Sequence, residues 1–226
     1  MTDAKSDLTE KFLTPDPRLM TEASNPSSPS VIRIVRVGMG IKANGKIEIA
    51  LTAGHDMPVD STYNDYQTFS KEFRKYLQVR PKLATFRRPH SPSSPTNPAE
   101  TTPTDMALRC NKLVYLVYEL AEGLAWRFSD GSIPFTRDHT TLAETTMFNP
   151  RAIDSNGDTH KTGSNLNTKH AVFIFNGEKA SNSGKDPFQA RLNLHIDLLD
   201  DPNDPSAGCT PIIIDPDVRY PGGSGP

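Results

Sequence analysis

Basic side chains are concentrated between positions 71 and 90, where they could hold an anionic partner. This stretch contains eight bases and a single acid, Glu72. The aromatic residues Phe73, Tyr76 and Phe86 are interleaved with the bases, a pattern typical of surfaces that bind nucleic acid strands, nucleotides, phospholipids or acidic proteins. The alternative is a solvated helix face whose charge is balanced by acids elsewhere in the fold. The candidate partner-binding residues are Lys71, Arg74, Lys75, Arg87 and Arg88.

Carboxylates near the C-terminus are the candidate metal ligands. Asp200, Asp201 and Asp204 lie in one polar loop, and Asp215 follows the next apolar run. Two loops that carry carboxylates at one end of a β-sandwich could share a calcium ion, because calcium prefers oxygen ligands. The alternative is a solvated turn. A second acidic segment, 154–160, has its glycine out of place for an EF-hand loop and predicts a β-turn instead.

No segment of the sequence matches a complete catalytic motif. Gly38-Met39-Gly40 follows an apolar run but lacks the third glycine of a dinucleotide-binding loop, and the chain contains neither a P-loop nor a GxSxG elbow. Two cysteines, Cys110 and Cys209, are too few for a structural zinc site. We interpret them as buried, reduced thiols, with a single disulfide as the alternative. The sequence therefore predicts no catalytic residues.

Composition and charge narrow the class of protein further. The chain has 226 residues, of which 35% are hydrophobic and 23% are charged, and its net charge is −2. This charge provides no global basic field, so a dedicated nucleic-acid-coating protein is excluded. The N-terminal residues Met-Thr-Asp-Ala-Lys-Ser-Asp include acidic and polar side chains where a signal peptide needs an apolar run, and the sequence predicts no membrane span. We expect a cytoplasmic location.

The apolar residues that must position these candidates alternate with polar ones over most of the chain. Asn44-Gly45 separates two apolar runs and predicts a tight hairpin. Leu192, Leu194 and Ile196 have polar neighbours on both sides, which indicates a strand with one buried face. Short strands separated by Gly, Asn, Asp and Pro predict a mainly β fold, an antiparallel β-sandwich or open barrel. The run Ile212–Ile214 predicts a C-terminal strand that is covered on both faces.

One amphipathic helix is predicted from about residue 64 to residue 77. Tyr66, Phe69, Phe73, Tyr76 and Leu77 recur at spacings of three and four, which places them on one helix face. These aromatic residues are interpreted as core residues and not as a ligand-stacking surface. We expect the helix to cover an edge or an end of the sandwich.

Proline-rich segments define the domain organisation. Residues 1–30 and 89–105 combine several prolines with Ser, Thr and Asn, a composition typical of disordered segments. We therefore predict a disordered N-terminal arm over 1–30 and a single β-sandwich domain over 31–220, interrupted by a disordered loop at 89–105. Residues 221–226 form a tail.

The second half of the chain carries several short motifs: Trp126-x-Phe128, Pro134-Phe135, the alternating strand 192–198 and the closing segment 212–217. With these motifs, residues 106–220 resemble a group of small bacterial β-sandwich proteins of unknown biochemistry. Some of those proteins carry the label "nucleotide synthetase". The resemblance implies a β-sandwich and a bacterial source, and it provides no active-site residues to carry over.

These observations favour a non-enzymatic binding or assembly module of a bacterial cytoplasmic protein. We expect a protein partner or self-assembly, with an anionic ligand as a further possibility at residues 71–90. A calcium-dependent binding domain is one alternative. A nucleotide-handling enzyme, as the label of the resembling proteins suggests, is the other.

Overall fold

The computed structural model describes residue 20 and residues 29–41, 47–53, 56–59, 66–83, 108–109, 113–129, 134–137, 146–161, 167–177, 189–204, 206–214 and 217–219. Within these ranges the chain forms thirteen strands and one helix, α1, Tyr66–Leu83. The strands are β1 Val31–Ile41, β2 Ile47–Ala53, β3 Met57–Pro58, β4 Leu108–Arg109, β5 Leu113–Leu120, β6 Trp126–Phe128, β7 Phe135–Arg137, β8 Met147–Ile153, β9 Thr159–His160, β10 His170–Asn176, β11 Gln189–Leu199, β12 Cys209–Ile214 and β13 Asp217–Arg219.

The strands form two sheets. The first sheet has the order β2-β1-β5-β10-β8-β9, with β3 added to β1. The second has the order β12-β11-β13-β4, with β6 and β7 also paired to β11. Strand makes up 56% of the structure and helix 16%, which confirms the predicted mainly β fold with one helix.

Two hydrophobic clusters explain how the layers pack. One lies between the sheets, where Leu116 and Phe173 of the first sheet meet Phe128 and Leu194 of the second. The other lies between the first sheet and α1. Strand β5 is buried along both faces because it is covered by the second sheet on one side and by α1 on the other. The result is three layers, with the helix outermost.

The position and length of α1 differ from the sequence prediction. The helix covers a face of the first sheet, not an edge or an end, because the even-numbered side chains of β1 and the odd-numbered ones of β5 form an apolar surface there. Phe69 and Phe73 are fully buried against that surface, so their predicted core role is confirmed. The helix continues to Leu83, beyond the predicted end at residue 77, because the apolar repeat stops at Leu77 and the next two residues, Gln78 and Val79, are exposed.

Two strand pairs are parallel, which the expectation of an antiparallel sheet did not include. Strand β1 pairs with β5 in parallel, from Ile32 opposite Tyr115 to Val37 opposite Leu120, and β13 pairs with β4 in parallel. A parallel pair needs a long connection, and β2, β3 and α1 all lie in the chain between β1 and β5. Strands on both sides of segment 89–105 are therefore neighbours in one sheet.

Strand β12 lies at the end of the second sheet and is less covered than the sequence suggested. Ile213 is 64% exposed, whereas Ile214 is buried in the core between the sheets. The prediction that this strand is covered on both faces is wrong, because Ile213 on the outer face of β12 is left exposed. Cys209, expected to be buried, is an exposed free thiol on the same strand. Cys110 lies outside the described ranges.

Proline blocks the outward edge of β12. His195 and Leu199 of β11 direct their backbone groups toward the β6 and β7 side of the sheet, so the even-numbered residues of this part of β11 bond to β12. Pro211 lies opposite Asp197, which has the same parity as His195. The missing N–H of Pro211 therefore faces away from β11, the arrangement by which edge strands avoid pairing with a further strand.

Several sequence predictions concern residues outside the described ranges. They include the disordered loop 89–105, the tail 221–226, the hairpin turn Asn44-Gly45 and most of the arm 1–30. Within that arm, Met20 is 4% exposed and belongs to the cluster between the sheets. No helix in the part of the chain that the structure describes is both long and apolar enough to cross a membrane.

Candidate functional site

The solvent-facing side of α1 carries the described part of the predicted basic stretch. Lys71, Arg74 and Lys75 are all exposed there, together with Gln67, Gln78 and Val79. Opposite them, Phe69, Phe73 and Tyr76 fix the helix on the sheet. We call the exposed residues 67, 71, 74, 75, 78 and 79 the outer face of α1. Arg87 and Arg88 lie outside the described residues.

Arg74 is held by the fold itself. Its Nε donates a hydrogen bond to the backbone carbonyl of Asn156 at 3.1 Å, and its Nη2 forms an ion pair with Asp158. A Cβ atom at Gly157 would lie 2.8 Å from Cγ of Arg74, so the arginine stem lies flat on the turn between β8 and β9. Arg74 therefore docks α1 onto this turn, and removing its side chain would disturb the helix as well as the surface.

The turn that receives Arg74 is organised by Asp154. Its Oδ1 accepts hydrogen bonds from the backbone N–H groups of Asn156 and Asp158, both at 2.9 Å, and its Oδ2 lies 2.9 Å from Nε2 of His160. Burial opposes ionisation of Asp154, but these hydrogen bonds together hold its pKa below the ordinary value. Gly157 has a φ of 83°, which suits a glycine. The segment is a β-turn, as predicted.

The two lysines of the outer face differ in their surroundings. Lys75 forms an exposed ion pair with Glu72 one turn before it, at 2.8 Å. Lys71 makes no hydrogen bond or ion pair with any residue in the described ranges. Exposed ion pairs such as Lys75–Glu72 contribute little stability, so both ammonium groups remain available to a partner.

The predicted calcium ligands form a compact turn between β11 and β12. Asp201 accepts the backbone N–H of Asn203 at 2.8 Å, and Asp204 accepts the backbone N–H of Ser206 at 3.0 Å. Hydrogen bonds from the hydroxyl and N–H of Ser206 lower the pKa of Asp204. In the described ranges, no group of three or more His, Cys, Asp or Glu side chains is arranged to hold a metal ion. Asp200 is exposed in this turn, and Asp215 lies outside those ranges.

A polar cluster that the sequence analysis missed lies beneath the second half of α1. Arg36, Glu119 and His170 are register neighbours on β1, β5 and β10. Arg36 Nη2 donates to Glu119 Oε1 at 3.3 Å, and His170 Nε2 lies 3.9 Å from the same oxygen. The hydroxyl of Tyr76 on α1 donates to Glu119 Oε2 at 2.5 Å. Glu119 is 1% exposed, so these partners offset the cost of burying its carboxyl group.

This cluster is suited to hold α1 on the sheet. Burial, reinforced by the neighbouring Glu119 carboxylate, raises the pKa of Tyr76 above its ordinary range. A phenol with a raised pKa is a poorer proton donor, so the arrangement does not favour acid catalysis by Tyr76 at neutral pH. What the hydroxyl does supply is a charge-assisted hydrogen bond between helix and sheet.

A second missed group of polar side chains lies on the outer face of the second sheet. Ser129 donates to Asp197 at 2.7 Å, and Arg127 Nε lies 3.4 Å from the same carboxylate. Further along, Thr136 Oγ1 lies 2.8 Å from His195 Nε2. Each of these polar side chains has a polar neighbour within the row, so the row is explained by contacts among its own members.

The sequence did carry a signal for the cluster under α1. Glu119 is the only charged residue in the strand 113–120, and Arg36 interrupts the β-branched run 31–37. A charged residue within a strand buried on both faces needs a partner, because an unpaired charge there is costly. Which residues supply the partner depends on the strand order, which periodicity does not reveal.

No protein-family model matches this chain, and no curated protein matches it. The resemblance to small bacterial β-sandwich proteins therefore stays a prediction.

Proposed function

We propose that this chain is a non-enzymatic protein-binding module whose binding surface is the outer face of α1. The observation that carries the proposal is the exposure of Lys71 and Lys75 on a strongly basic helix. Five bases and one acid give α1 a charge of +4, in a chain whose net charge is −2. A local cationic surface on an anionic chain favours an acidic partner.

The internal contacts of the basic residues define which of them would meet the partner. Arg74 already bonds to the turn at Asn156 and Asp158. Lys71 and Lys75 point to solvent, and the Lys75 side chain is 62% exposed even with its ion pair to Glu72. The proposal therefore assigns partner contact to Lys71 and Lys75, and a positioning role to Arg74.

A direct test measures binding of fluorescently labelled poly-L-glutamate, which is an unordered polyanion at neutral pH, to the full chain by anisotropy. We expect binding that weakens with salt, because exposed charges are screened over about 10 Å at 0.1 M. Changing both Lys71 and Lys75 to Ser should weaken binding about 2- to 30-fold, since each exposed ion pair contributes about 0.2–1 kcal/mol.

The matched control removes the same charge outside α1. Lys161 and Lys169 changed to Ser should leave poly-L-glutamate binding within error of the wild type. Equal loss in both double variants would mean that net charge alone drives binding, and the proposal would fail. It would also fail if the chain bound only anionic vesicles or an oligonucleotide, since the partner would then not be a protein.

The cytoplasmic location and bacterial source are part of the same proposal, and cell fractionation of the source organism tests them. Calcium binding by Asp200, Asp201, Asp204 and Asp215 stays a prediction. A ligand that binds only the folded state raises the melting temperature, so a rise on adding calcium would support it.

A further inference from the structure

Four exposed residues on α1 follow one another at intervals of four. They are Gln67, Lys71, Lys75 and Val79, and each is exposed. At a rise of 1.5 Å per residue, neighbours in this row are about 6 Å apart along the helix axis. Residues at this interval lie on one stripe of a helix. We call these four residues the 67–79 stripe.

The stripe combines two positive charges with one apolar side chain. Val79 is 41% exposed and is one of two large hydrophobic side chains that are exposed in the described ranges, the other being Ile213. It lies one turn beyond Lys75, so a partner that binds both lysines comes within reach of the valine. The apolar contact supplies affinity that salt does not screen.

We propose that the partner presents an α-helix with two carboxylates four residues apart and an apolar residue one turn further. This inference rests on the proposed function, because it names the kind of acidic protein that the outer face of α1 would bind. Carboxylates at that interval have the same spacing as the ammonium groups of Lys71 and Lys75. Rows of side chains at intervals of four pack against each other in the commonest mode of helix–helix contact.

An extended partner segment fits this surface less well. Alternate carboxylates on a strand have a similar spacing, about 6.6 Å. A strand that binds a protein surface gains affinity by pairing its backbone with an exposed strand edge, which the outer face of α1 does not offer because the backbone groups of a helix interior are already bonded within the helix. A partner helix brings its own backbone bonds and therefore needs side-chain contacts alone.

Neighbouring residues limit where the partner helix lies. Arg74 beside the stripe is held by Asp158, so its guanidinium is directed to the turn and not to the partner. Glu72 contacts Lys75, but an ammonium group has three donors and can bind a second carboxylate at the same time. The partner's carboxylates thus meet Lys71 and Lys75 without displacing an internal contact.

The test measures how tightly two alanine-based peptides of identical composition and length bind to the full chain. The first carries Glu at positions i and i+4 and Leu at i+8, and the second has one Glu moved to i+2, where it faces away. We expect the first peptide to bind about 1.4- to fivefold more tightly, the value of one exposed ion pair of about 0.2–1 kcal/mol. Changing Val79 to Ser should weaken the first peptide about threefold.

A charge swap supplies the control. The variant with Lys71→Glu and Lys75→Glu should lose the first peptide and bind its counterpart with Lys at i and i+4. If both Glu peptides bind the wild type equally while poly-L-glutamate binding still depends on the two lysines, the helical partner is wrong and the proposed function stands. If neither peptide nor poly-L-glutamate binds, both proposals are wrong.

Discussion

Replacing Tyr76 by Phe isolates the hydrogen bond that ties α1 to the buried carboxylate. The change deletes one hydroxyl and keeps the ring, which stacks on Phe73 at a centroid distance of 5.5 Å. Glu119 loses its donor at 2.5 Å and keeps Arg36 at 3.3 Å and His170 at 3.9 Å. These two longer contacts then offset less of the cost of removing the buried carboxylate of Glu119 from water.

The expected cost follows from the kind of bond removed. A hydrogen bond to a charged group contributes about 1.5–3 kcal/mol, against about 0.5–1.5 kcal/mol for a neutral one. For a chain of this size, each kcal/mol lowers the melting temperature by about 2–4 °C. We therefore expect Tyr76→Phe to melt about 3–12 °C below the wild type.

Tyr66→Phe is the matched control. The Tyr66 hydroxyl donates to the backbone carbonyl of Asn149, a neutral acceptor on the same sheet. Urea unfolding followed by fluorescence of Trp126, the only tryptophan and a core residue, gives the free energy of unfolding for each variant. The reasoning is refuted if Tyr76→Phe costs no more than Tyr66→Phe.

Four further outcomes test other parts of the structure. The pKa of Tyr76 in the folded chain lies above its ordinary value of 10.0, so the stability that its hydroxyl contributes is complete below pH 10 and is lost as the pH rises further. The difference in unfolding free energy between wild type and Tyr76→Phe should therefore narrow above pH 10, by up to about 1.4 kcal/mol per pH unit. A difference that stays constant with pH in urea unfolding would contradict this. Gly157→Ala should cost about 1–3 kcal/mol for the φ of 83° and more for the clash of the new Cβ with Arg74. Gly123→Ala, with a φ of 93° and no atom within 4 Å of the new Cβ, should show the backbone cost alone. Equal losses of melting temperature in the two variants would mean that the turn does not hold α1. Pro211→Val restores an outward N–H and should increase self-association in sedimentation velocity, while unchanged sedimentation would mean that another feature protects the edge. Ile213→Asp should change the unfolding free energy by no more than about 0.5 kcal/mol, and a larger loss would show that a second molecule covers this side chain.

Elements whose pattern of apolar residues lies within one continuous stretch of the chain could be predicted from the sequence. The alternation of Leu192, Leu194 and Ile196 places these residues in the core, and the spacing of Phe69 and Phe73 places them against the sheet. In both cases the buried face follows from the chain's own repeat. The solvent-facing position of Lys71 and Lys75 follows from the same repeat.

Features that depend on which strands become neighbours could not be predicted in this way. The pairing of Glu119 with Arg36 and His170 requires that β5 lies between β1 and β10. Likewise, nothing within α1 shows that Arg74 meets Asp158, which is 84 residues away. These contacts arise from long-range topology, and a charged residue inside a strand signals only that a partner must exist.

The most direct test of the central claim is to map the peptide contact on the folded chain. Amide ¹H–¹⁵N spectra of the full chain would be recorded while the helical Glu peptide is added. The largest shift changes should occur at Gln67, Lys71, Lys75 and Val79, and they should disappear when both lysines are changed to Ser. Changes confined to the second sheet around His195 and Ile213, with α1 unaffected, would contradict the claim that the outer face of α1 is the binding surface.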